Sequence, residues 1–335
     1  MASSTLPFHA VCLGGGTGVA LIARALFDAG MRVTTVIATT DNGRSTGRVR
    51  RWFNMPAPGD LRNVLASFAS EPALRELFDY RLDLPELAEL RGVAFGNLVL
   101  AVLTKTTGSL ETAVAVAGRL GGVPIRVIPV TTANAELCAE LEDGALVQGE
   151  VEVRRPGKAP IRRLFVMPPA PATEAALQAI READLITIGP GSLFTSVLAC
   201  LAVDGIVEAL VASRARRMYI ANTTTQPGQS DGMPLVAQIE RVIAAARGAI
   251  DAVLVNEGRP AAPLIARHAA AGRHLLSLSP AEREELERRG VRVIAADLVE
   301  HDAPPRALWQ KEDTIRHDAA KVGAIFTRLA AEARA

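Results

Sequence analysis

Residues 9–30 read HAVCLGGGTGVALIARALFDAG, and this stretch decides the fold. Its first part, His9–Leu13, is an apolar run with the length of a buried strand. Its last part, Val19–Ala29, places apolar residues at helical spacing, and a glycine-rich turn joins the two. A strand, a glycine turn and a helix in this order are typical of the first unit of an α/β sheet.

The same alternation continues along the chain. Further strand-like runs are Val33–Thr39, Ile125–Pro129, Asp184–Ile188, Met218–Ala221, Ala252–Val255 and Val291–Ala295, and helical runs include Leu98–Thr104 and Leu110–Leu120. Strands that alternate with helices favour parallel pairing, because each helix carries the chain back to the same edge of the sheet. The sequence therefore predicts an α/β fold with a doubly wound, mostly parallel sheet and helices on both of its faces.

One region breaks this alternation. Leu146–Arg154 and Ile161–Met167 are both strand-like, and a turn at Pro156-Gly157-Lys158 lies between them. This pattern predicts an antiparallel hairpin at about 146–167, either as an insertion or at an edge of the sheet. A charged connector occupies residues 81–92. We expect residues 1–335 to form a single domain with insertions rather than two domains.

Composition excludes several classes of protein. The 335 residues are 49% hydrophobic, which rules out wholesale disorder. A formal charge of +1 and 4% aromatic residues argue against a protein that coats nucleic acid. No apolar run is long enough for membrane insertion, and no signal-peptide pattern is present, so we expect a cytoplasmic location.

Neither metal clusters nor a nucleophile–base set can be identified from the sequence. Cys12, Cys138 and Cys200 are widely spaced, which is typical of small buried hydrophobic residues rather than of a zinc site or disulfides. The five histidines lie in no known catalytic motif. The catalytic residues, if the protein is an enzyme, are therefore unknown from the sequence.

Polar motifs follow the strand-like runs, where ligands bind to parallel sheets. The first is the turn after His9–Leu13, whose glycines would let backbone N–H groups approach a phosphate. Its spacing matches neither the dinucleotide fingerprint nor a Walker A loop, and a tight turn without a ligand is the alternative. Its candidate phosphate-binding residues are Gly14, Gly15, Gly16, Thr17 and Gly18.

The second motif, residues 39–48, follows the strand-like run Val33–Thr39, and the third is residues 58–63. Both add acidic, amide and cationic side chains. They supply the candidates Asp41, Asn42, Gly43, Arg44, Ser45, Arg48, Asp60, Arg62 and Asn63. An acidic side chain here can bind a ribose or magnesium, and the local arginines, with Arg50 and Arg51, suit a diphosphate. The alternatives are a polar loop, a helix cap at Asp60 and a solvated basic face. The last is credible because all but four of the 37 Lys and Arg residues are arginine.

Three more motifs complete the set of nucleotide-binding candidates. Asn97 opens an apolar helix and has a helix N-cap as its alternative role. Gly189, Gly191 and Ser192 form a second possible anion cradle, for which an ordinary turn is the alternative. Asn222 and Gln226 lie in a polar loop that would bind a base or sugar, unless it is a plain surface loop.

Together the motifs resemble the YvcK/CofD-like family, also called gluconeogenesis factor. The matching segments are LGGGTG at 13–18, TDNGRSTGRVR at 40–50, APGDLRN at 57–63, FGNLVL at 95–100, IGPGSLFTSV at 188–197, NTTTQPGQSD at 222–231 and LWQKEDTIRHD at 308–318. The PGD-x-RN element is similar to the YvcK branch rather than to the phospholactate transferase branch. The resemblance implies a doubly wound core with a nucleotide pocket at the strand ends.

The two branches imply different functions. YvcK-type proteins are implicated in binding uridine-diphosphate sugars and in control of carbon metabolism, the cell envelope and cell shape. The transferase branch moves phospholactyl from a guanosine diphosphate donor to a deazaflavin hydroxyl, with magnesium. We therefore expect a nucleotide-sugar-binding regulatory protein, with a phospholactyl or phosphoryl transferase as the alternative and a dinucleotide-binding protein as a weaker one.

The sequence departs from the family at its acidic motif. Where relatives commonly carry Asp-Asp-Gly-Gly-Ser-Ser-Gly, this chain has Asp41-Asn42-Gly43-Arg44-Ser45-Thr46-Gly47. Losing one carboxylate weakens a magnesium site, and Arg44 would supply a fixed positive charge instead. We expect no required cofactor, with Mg²⁺ only in the transferase alternative and Asp41 as its one candidate ligand. The expected partner is a nucleotide or nucleotide-sugar, without nucleic acid or membrane insertion, and self-association into a homo-oligomer is allowed.

Overall fold

The computed structural model of the protein describes residues 8–301 and 315–334, so residues 308–314 of the tail motif lie outside it. The strands are β1 His9–Gly14, β2 Arg32–Ile37, β3 Arg126–Pro129, β4 Glu136–Leu141, β5 Leu146–Gln148, β6 Ile161–Met167, β7 Leu185–Ile188, β8 Arg216–Ile220, β9 Ala252–Asn256 and β10 Arg292–Ala296. The strand-like runs in the sequence therefore predicted the parallel strands to within a few residues, whereas β4 was not foreseen.

Helices lie between these strands. They are α1 Gly16–Asp28, α2 Arg44–Phe53, α3 Gly59–Phe68, α4 Pro72–Asp79, α5 Phe95–Thr107, α6 Leu110–Leu120, α7 Glu150–Val153, α8 Glu174–Arg181, α9 Ala199–Leu201, α10 Ile206–Ala212, α11 Leu235–Ala245, α12 Ala262–Ala269, α13 Pro280–Arg288 and α14 Ala319–Arg334. A 3₁₀ turn at Ala88–Leu90 and a π-helix at Leu193–Leu198 complete them. Within the described ranges, no helix combines the length and the apolar character needed to cross a membrane.

Seven strands form one parallel sheet in the order β10-β9-β8-β7-β1-β2-β3. The chain runs outward from β1 to β3, returns to β7 beside β1, and runs outward again to β10. The strand order thus reverses between β1 and β7, where Leu13 lies opposite Ile188. Loops after these two strands leave the sheet in opposite directions and open a crevice between them.

Alternate residues of β1 show that both faces of the sheet are covered. Val11 and Leu13 pack in a core with residues of α8, α10 and α11. Ala10 and Cys12 point the other way, into a core with residues of α1, α3, α5, α6 and α14. All four side chains are fully buried, and full burial of a leucine contributes about 1.5–3 kcal/mol. The prediction of a doubly wound sheet with helices on both faces is confirmed.

The strands β4, β5 and β6 form a separate antiparallel sheet in the order β5-β4-β6. An antiparallel insertion was predicted correctly, but the predicted pairing of Leu146–Arg154 with Ile161–Met167 is wrong. Both segments pair instead with β4, where Cys138 lies opposite Gln148 and Phe165. The first segment is also only partly a strand, because the chain turns at Gly149 (φ 90°) into the short helix α7.

The cysteines are buried and free, as their spacing predicted. Burial raises the pKa of the Cys12 and Cys200 thiols to about 12, so both remain protonated at neutral pH. They therefore act as small hydrophobic residues in the core.

Candidate functional site

A cleft of about 780 Å³ lies at the carboxyl ends of the strands, over the point where the strand order reverses. Its walls come from the loops after β1, β2, β7 and β8, from the first turns of α3 and α5, from the segment around α7, and from residues 315–317, with Arg81 and Arg273. This volume is within the range of small-molecule sites. The motifs that the sequence singled out therefore meet at one place.

The glycine turn after β1 forms part of the wall. Gly15, Gly16 and Gly18 line the cleft, and α1 begins at Gly16 without a side chain capping its N-terminus. A Cβ on Gly15 would overlap the carboxylate of Asp60, and a Cβ on Gly18 would overlap the carbonyl oxygen of Pro190. The loop therefore exposes backbone in a space that excludes side chains, at the end of a helix that favours anions. Thr17 also lines the cleft, whereas Gly14 packs behind the loop against Val19.

The turn after β7 faces the first one. Gly191 and Ser192 line the cleft, while Gly189 (φ 76°) makes the turn behind them. The side chain of Asn222 holds this turn on both sides. Its Oδ1 accepts from the N–H of Gly191 at 3.2 Å, and its Nδ2 donates to the Gly191 carbonyl at 2.9 Å. The structure thus gives Asn222 a role in fixing the loop, and its contact with a base or sugar stays a prediction.

Ser45 and Asn97 connect the acidic loop to α5. The hydroxyl oxygen of Ser45 accepts from the N–H of Ala94 at 2.9 Å and from Nδ2 of Asn97 at 3.1 Å. Asn97 lies in the first turn of α5, whose N-cap is Ala94, so the cap interpretation is wrong. Asn97 is 1% exposed and lines the cleft, and its Oδ1 has no hydrogen-bond partner among the described residues.

Asp60 enters the cleft from the first turn of α3. The N-cap of that helix is Pro58, so the alternative of a cap at Asp60 is also wrong. Asn63 donates to Oδ1 of Asp60 at 3.3 Å, and Arg62 donates to Oδ1 of Asn63 at 2.5 Å while it forms an ion pair with Asp79. Burial lowers the pKa of Arg62, and the charge of Asp79 opposes that shift. Arg62 therefore supports the acidic group as well as lining the cleft.

The structure disperses the predicted arginine cluster. Arg44 lines the cleft with a positive φ of 49°, a conformation that non-glycine residues adopt rarely and that occurs often at functional sites. Arg48 instead donates to the carbonyls of Glu89 and Arg91, and Arg50 donates to Asn134 and Ala135. Helical periodicity separates Arg50 from Arg48, whereas Arg44 and Arg48 are four residues apart and differ because Arg44 begins α2 with a left-handed backbone.

Asn42 also turns away from the cleft. Its Oδ1 accepts from the N–H of Val151 at 3.3 Å, and it is not among the lining residues. Asp41 and Gly43 do line the cleft, and Oδ1 of Asp41 accepts from the N–H of Gly43 at 2.7 Å. Asn42 therefore anchors the α7 segment beside Asp41.

Glu150 is the principal residue that the sequence reasoning missed. Its side chain is 12% exposed and lines the cleft together with Asp41. Arg154 contacts it, with 3.3 Å between Nη1 and Oε1. Burial first, and then the charge of Asp41, raise the pKa of Glu150 well above its ordinary value. The sequence signal for this residue was Gly149. The strand predicted over Leu146–Arg154 ends before this glycine, and α7 begins at Glu150.

Several other lining residues were also missed. They include Thr195, Ser196, Gln229, Arg154, Arg155, Arg273, Arg316 and His317. Burial lowers the pKa of His317 to about 4, so it is neutral at physiological pH. Among the described residues, seven arginines line the cleft against four carboxyl groups. The cleft therefore carries an excess of positive charge, which favours an anionic ligand.

Asn42, the amide beside Asp41, adds no metal ligand to the cleft. Magnesium takes octahedral oxygen ligands, and Oδ1 of Asn42 accepts instead from the N–H of Val151. Within the described parts of the chain, no group of three or more His, Cys, Asp or Glu residues has metal-binding geometry. A magnesium ion here would therefore depend on ligand phosphates for most of its ligands.

Comparison with known proteins places this chain in a family. The family model described as 2-phospho-L-lactate transferase CofD matches residues 10–299. The gluconeogenesis factor of Halalkalibacterium halodurans is 35% identical over 319 residues, covering 94% of each chain. That of Bacillus subtilis is 35% identical over 327 residues, covering 95% of this chain and 97% of its own.

A solved structure agrees. The crystal structure of a UPF0052-family protein from Bacillus halodurans matches with a TM-score of 0.86 and 33% identity, covering 96% of this chain and 99% of that one. The resemblance to the YvcK/CofD-like family is thus confirmed across most of the chain. The chain belongs to the 2-phospho-L-lactate transferase CofD family, with gluconeogenesis factors among its relatives.

Proposed function

We propose that this protein binds a nucleotide-sugar of the uridine-diphosphate type in the cleft, and that it acts as a cytoplasmic regulator of carbon metabolism and the cell envelope. The observation that carries the proposal is the pair of facing glycine turns after β1 and β7. The first turn offers the N-terminus of α1, a helix of 13 residues, to a diphosphate. The named function of the relatives, gluconeogenesis factor, supports the regulatory part.

Unpaired polar atoms in the cleft wall support a ligand with several hydroxyl or N–H groups. Oδ1 of Asn97, Oγ1 of Thr195 and the Oε1 atoms of Gln226 and Gln229 are buried without a hydrogen-bond partner among the described residues. An unsatisfied buried polar atom costs about 1–3 kcal/mol, so a ligand that satisfies these atoms gains affinity. A base and a sugar carry donors that suit them.

Charge supports a diphosphate in particular. Arg44 stands at the rim of the cleft close to Asp41, and a guanidinium can bind two phosphate oxygens at once. The charge of Arg44 would neutralise the diphosphate without magnesium. This agrees with the small number of metal ligands that side chains supply around Asp41.

A phosphorus-transferring enzyme is the second candidate. Asp41, Asp60 and Glu150 bring three carboxyl groups into the cleft, and a carboxylate could take the proton of an attacking hydroxyl. The family description also names a transferase. A dinucleotide-binding role has weaker support, because the first turn lacks the spacing of the dinucleotide fingerprint.

Calorimetric titration with UDP-N-acetylglucosamine, UDP-glucose, GDP and NAD⁺ tests these alternatives. The proposal expects the UDP-sugars to bind most tightly and to remain unchanged after binding. Arg44→Ala should weaken their binding by about 1.5–3 kcal/mol, the scale of a charged hydrogen bond. The matched control is Arg51→Ala, which removes an exposed arginine outside the cleft and should leave binding unchanged. Consumption of a nucleotide donor in the presence of an acceptor would favour the transferase, and failure of every UDP-sugar to bind would refute the proposal.

A further inference from the structure

His317 is a buried histidine of the cleft wall, and its Nε2 atom is unsatisfied. The residue is 5% exposed, and Nε2 makes no hydrogen bond within the described parts of the chain. Most buried polar side-chain atoms in proteins have a partner, so an exception calls for an explanation. Because His317 lines the cleft, a bound ligand can supply the missing partner.

His9 shows how a histidine with a purely structural role differs. It is buried at the start of β1, where its Nδ1 lies 3.1 Å from the Glu182 carbonyl oxygen and its Nε2 lies 3.0 Å from Oγ1 of Thr34. The protein therefore satisfies both ring nitrogens of His9. It leaves Nε2 of His317 without such a partner, in a wall where a ligand can reach it.

The backbone holds His317 in this place from two sides. Val299, in the segment after β10, pairs with His317 in an antiparallel β-bridge, and backbone hydrogen bonds of 2.6 and 3.1 Å flank the bridge. On the other side, the hydroxyl of Thr223 donates to the Ile315 carbonyl. A residue that is already held in this way loses little freedom when a ligand binds, so its contact adds to affinity and specificity.

The charge state of the ring limits the group that it can bind. Burial lowers the pKa of His317 to about 4, so the ring is neutral at physiological pH and offers no positive charge to a phosphate. A neutral imidazole has one N–H donor and one acceptor nitrogen, and the tautomer decides which of them is Nε2. A hydroxyl group both donates and accepts, so it pairs with Nε2 in either tautomer.

The loop after β8 adds two amides that need donors. Gln226 and Gln229 line the cleft, and the Oε1 atom of each is buried without a hydrogen-bond partner among the described residues. An amide oxygen only accepts, and a diphosphate ester has no proton to donate to it at neutral pH. The hydrogen bond between Thr223 and Ile315 joins this loop to the segment that carries His317. This part of the wall therefore suits a group with hydroxyls rather than the diphosphate.

We propose that Nε2 of His317 binds a hydroxyl group of the ligand, and that His317 thereby selects ligands that carry this hydroxyl. The inference rests on the proposed function, because a UDP-sugar carries hydroxyl groups on its ribose and on its hexose. It divides the cleft into two parts. The glycine turns bind the diphosphate, and His317 recognises the hydroxyl.

The test compares UDP-glucose with analogues that each lack one hydroxyl of the ribose or of the glucose. Calorimetric titrations at about pH 7.5 keep His317 neutral. At least one analogue should bind the wild type about 5- to 140-fold more weakly than UDP-glucose, because Nε2 then stays buried and unpaired. His317→Phe keeps a planar ring without nitrogens, so it should bind that analogue as tightly as UDP-glucose. The position of the missing hydroxyl shows whether His317 contacts the ribose or the glucose.

Two further variants separate recognition from a structural role. His9→Phe removes a buried imidazole at the opposite end of β1 from the cleft, and it should keep the wild-type loss for every analogue. His317→Gln supplies an amide that can donate or accept, so it should keep the discrimination that His317→Phe loses. If His317→Phe weakens UDP-glucose and every analogue by one common factor, the role is structural and the inference is overturned.

A spectroscopic readout serves if His317→Phe does not fold. The ¹⁵N resonance of Nε2 in His317 should shift when UDP-glucose saturates the wild type, and it should not shift with the analogue that binds weakly. A resonance that UDP-glucose leaves unchanged would overturn the inference while the proposed function stands. Failure of UDP-glucose to bind the wild type would instead refute the proposed function, and this inference with it.

Discussion

Replacing Asn222 with alanine tests how the second glycine turn is held. The side chain makes two hydrogen bonds to the backbone of Gly191, at 3.2 and 2.9 Å, and it links β8 to the turn after β7. Each such bond contributes about 0.5–1.5 kcal/mol net, so Asn222→Ala should lower the free energy of unfolding by about 1–3 kcal/mol. Denaturant unfolding measures this loss directly.

The same change should weaken ligand binding through disorder of the turn. Ordering a loosened loop on binding costs about 0.5–1.5 kcal/mol, which corresponds to roughly 3- to 10-fold in Kd. Because the turn faces the diphosphate in our account, UDP, GDP and UDP-sugars should all lose affinity by the same factor. Calorimetry with these ligands measures the factor for each.

Asn134→Ala is the matched control. It also removes two side-chain hydrogen bonds, to Arg50 and Asn54, but Asn134 lies outside the cleft. It should reduce stability and leave affinity unchanged. A loss in Asn222→Ala confined to ligands with one base would refute the loop-holding role and favour direct contact with the base. Unchanged affinity for every ligand would refute both roles.

Three other predictions follow from particular contacts. Gly18→Ala should destabilise the protein by about 1–3 kcal/mol, because its Cβ would overlap the Pro190 carbonyl. Gly118→Ala in α6 has room for a Cβ and should not destabilise it. Thermal unfolding of both variants tests this difference. Burial lowers the pKa of His317 to about 4, so the unfolded state binds a proton at a higher pH than the folded state does. The free energy of unfolding should therefore fall as pH drops from about 6.5 toward 4. A pH profile of stability in His317→Gln that is as steep as the wild type would contradict this. Ligand affinity should change little between chelator and millimolar magnesium, and a large loss in chelator would move the transferase to first place.

The parallel sheet could be predicted because its strands carry local signals. β1 and β7 are short apolar runs that end in glycine turns, and both are buried on two faces. The strand β4 carries Glu136 and Glu140, and these charges concealed its buried alternate residues. Strand pairing depends on contacts between distant parts of the chain. The local sequence of each strand therefore could not predict that β4 lies between β5 and β6.

The candidate site was predictable where glycines or strand ends mark it. Gly15, Gly16, Asp41, Asp60 and Gly191 all line one cleft. Side-chain direction was not predictable, because Arg44 and Arg48 lie on the same helix and only the first lines the cleft. The contribution of Glu150 depends on a four-residue helix in the inserted sheet, which no periodic pattern announces.

Hydrogen–deuterium exchange with and without UDP-N-acetylglucosamine tests the central claim most directly. The account predicts that ligand slows amide exchange in peptides covering residues 14–20 and 189–196, the two glycine turns and the helix starts that follow them. Exchange in the exposed helix α13 should not change, which provides an internal reference. Ligand binding without protection of either glycine turn would contradict the claim that the diphosphate lies between them.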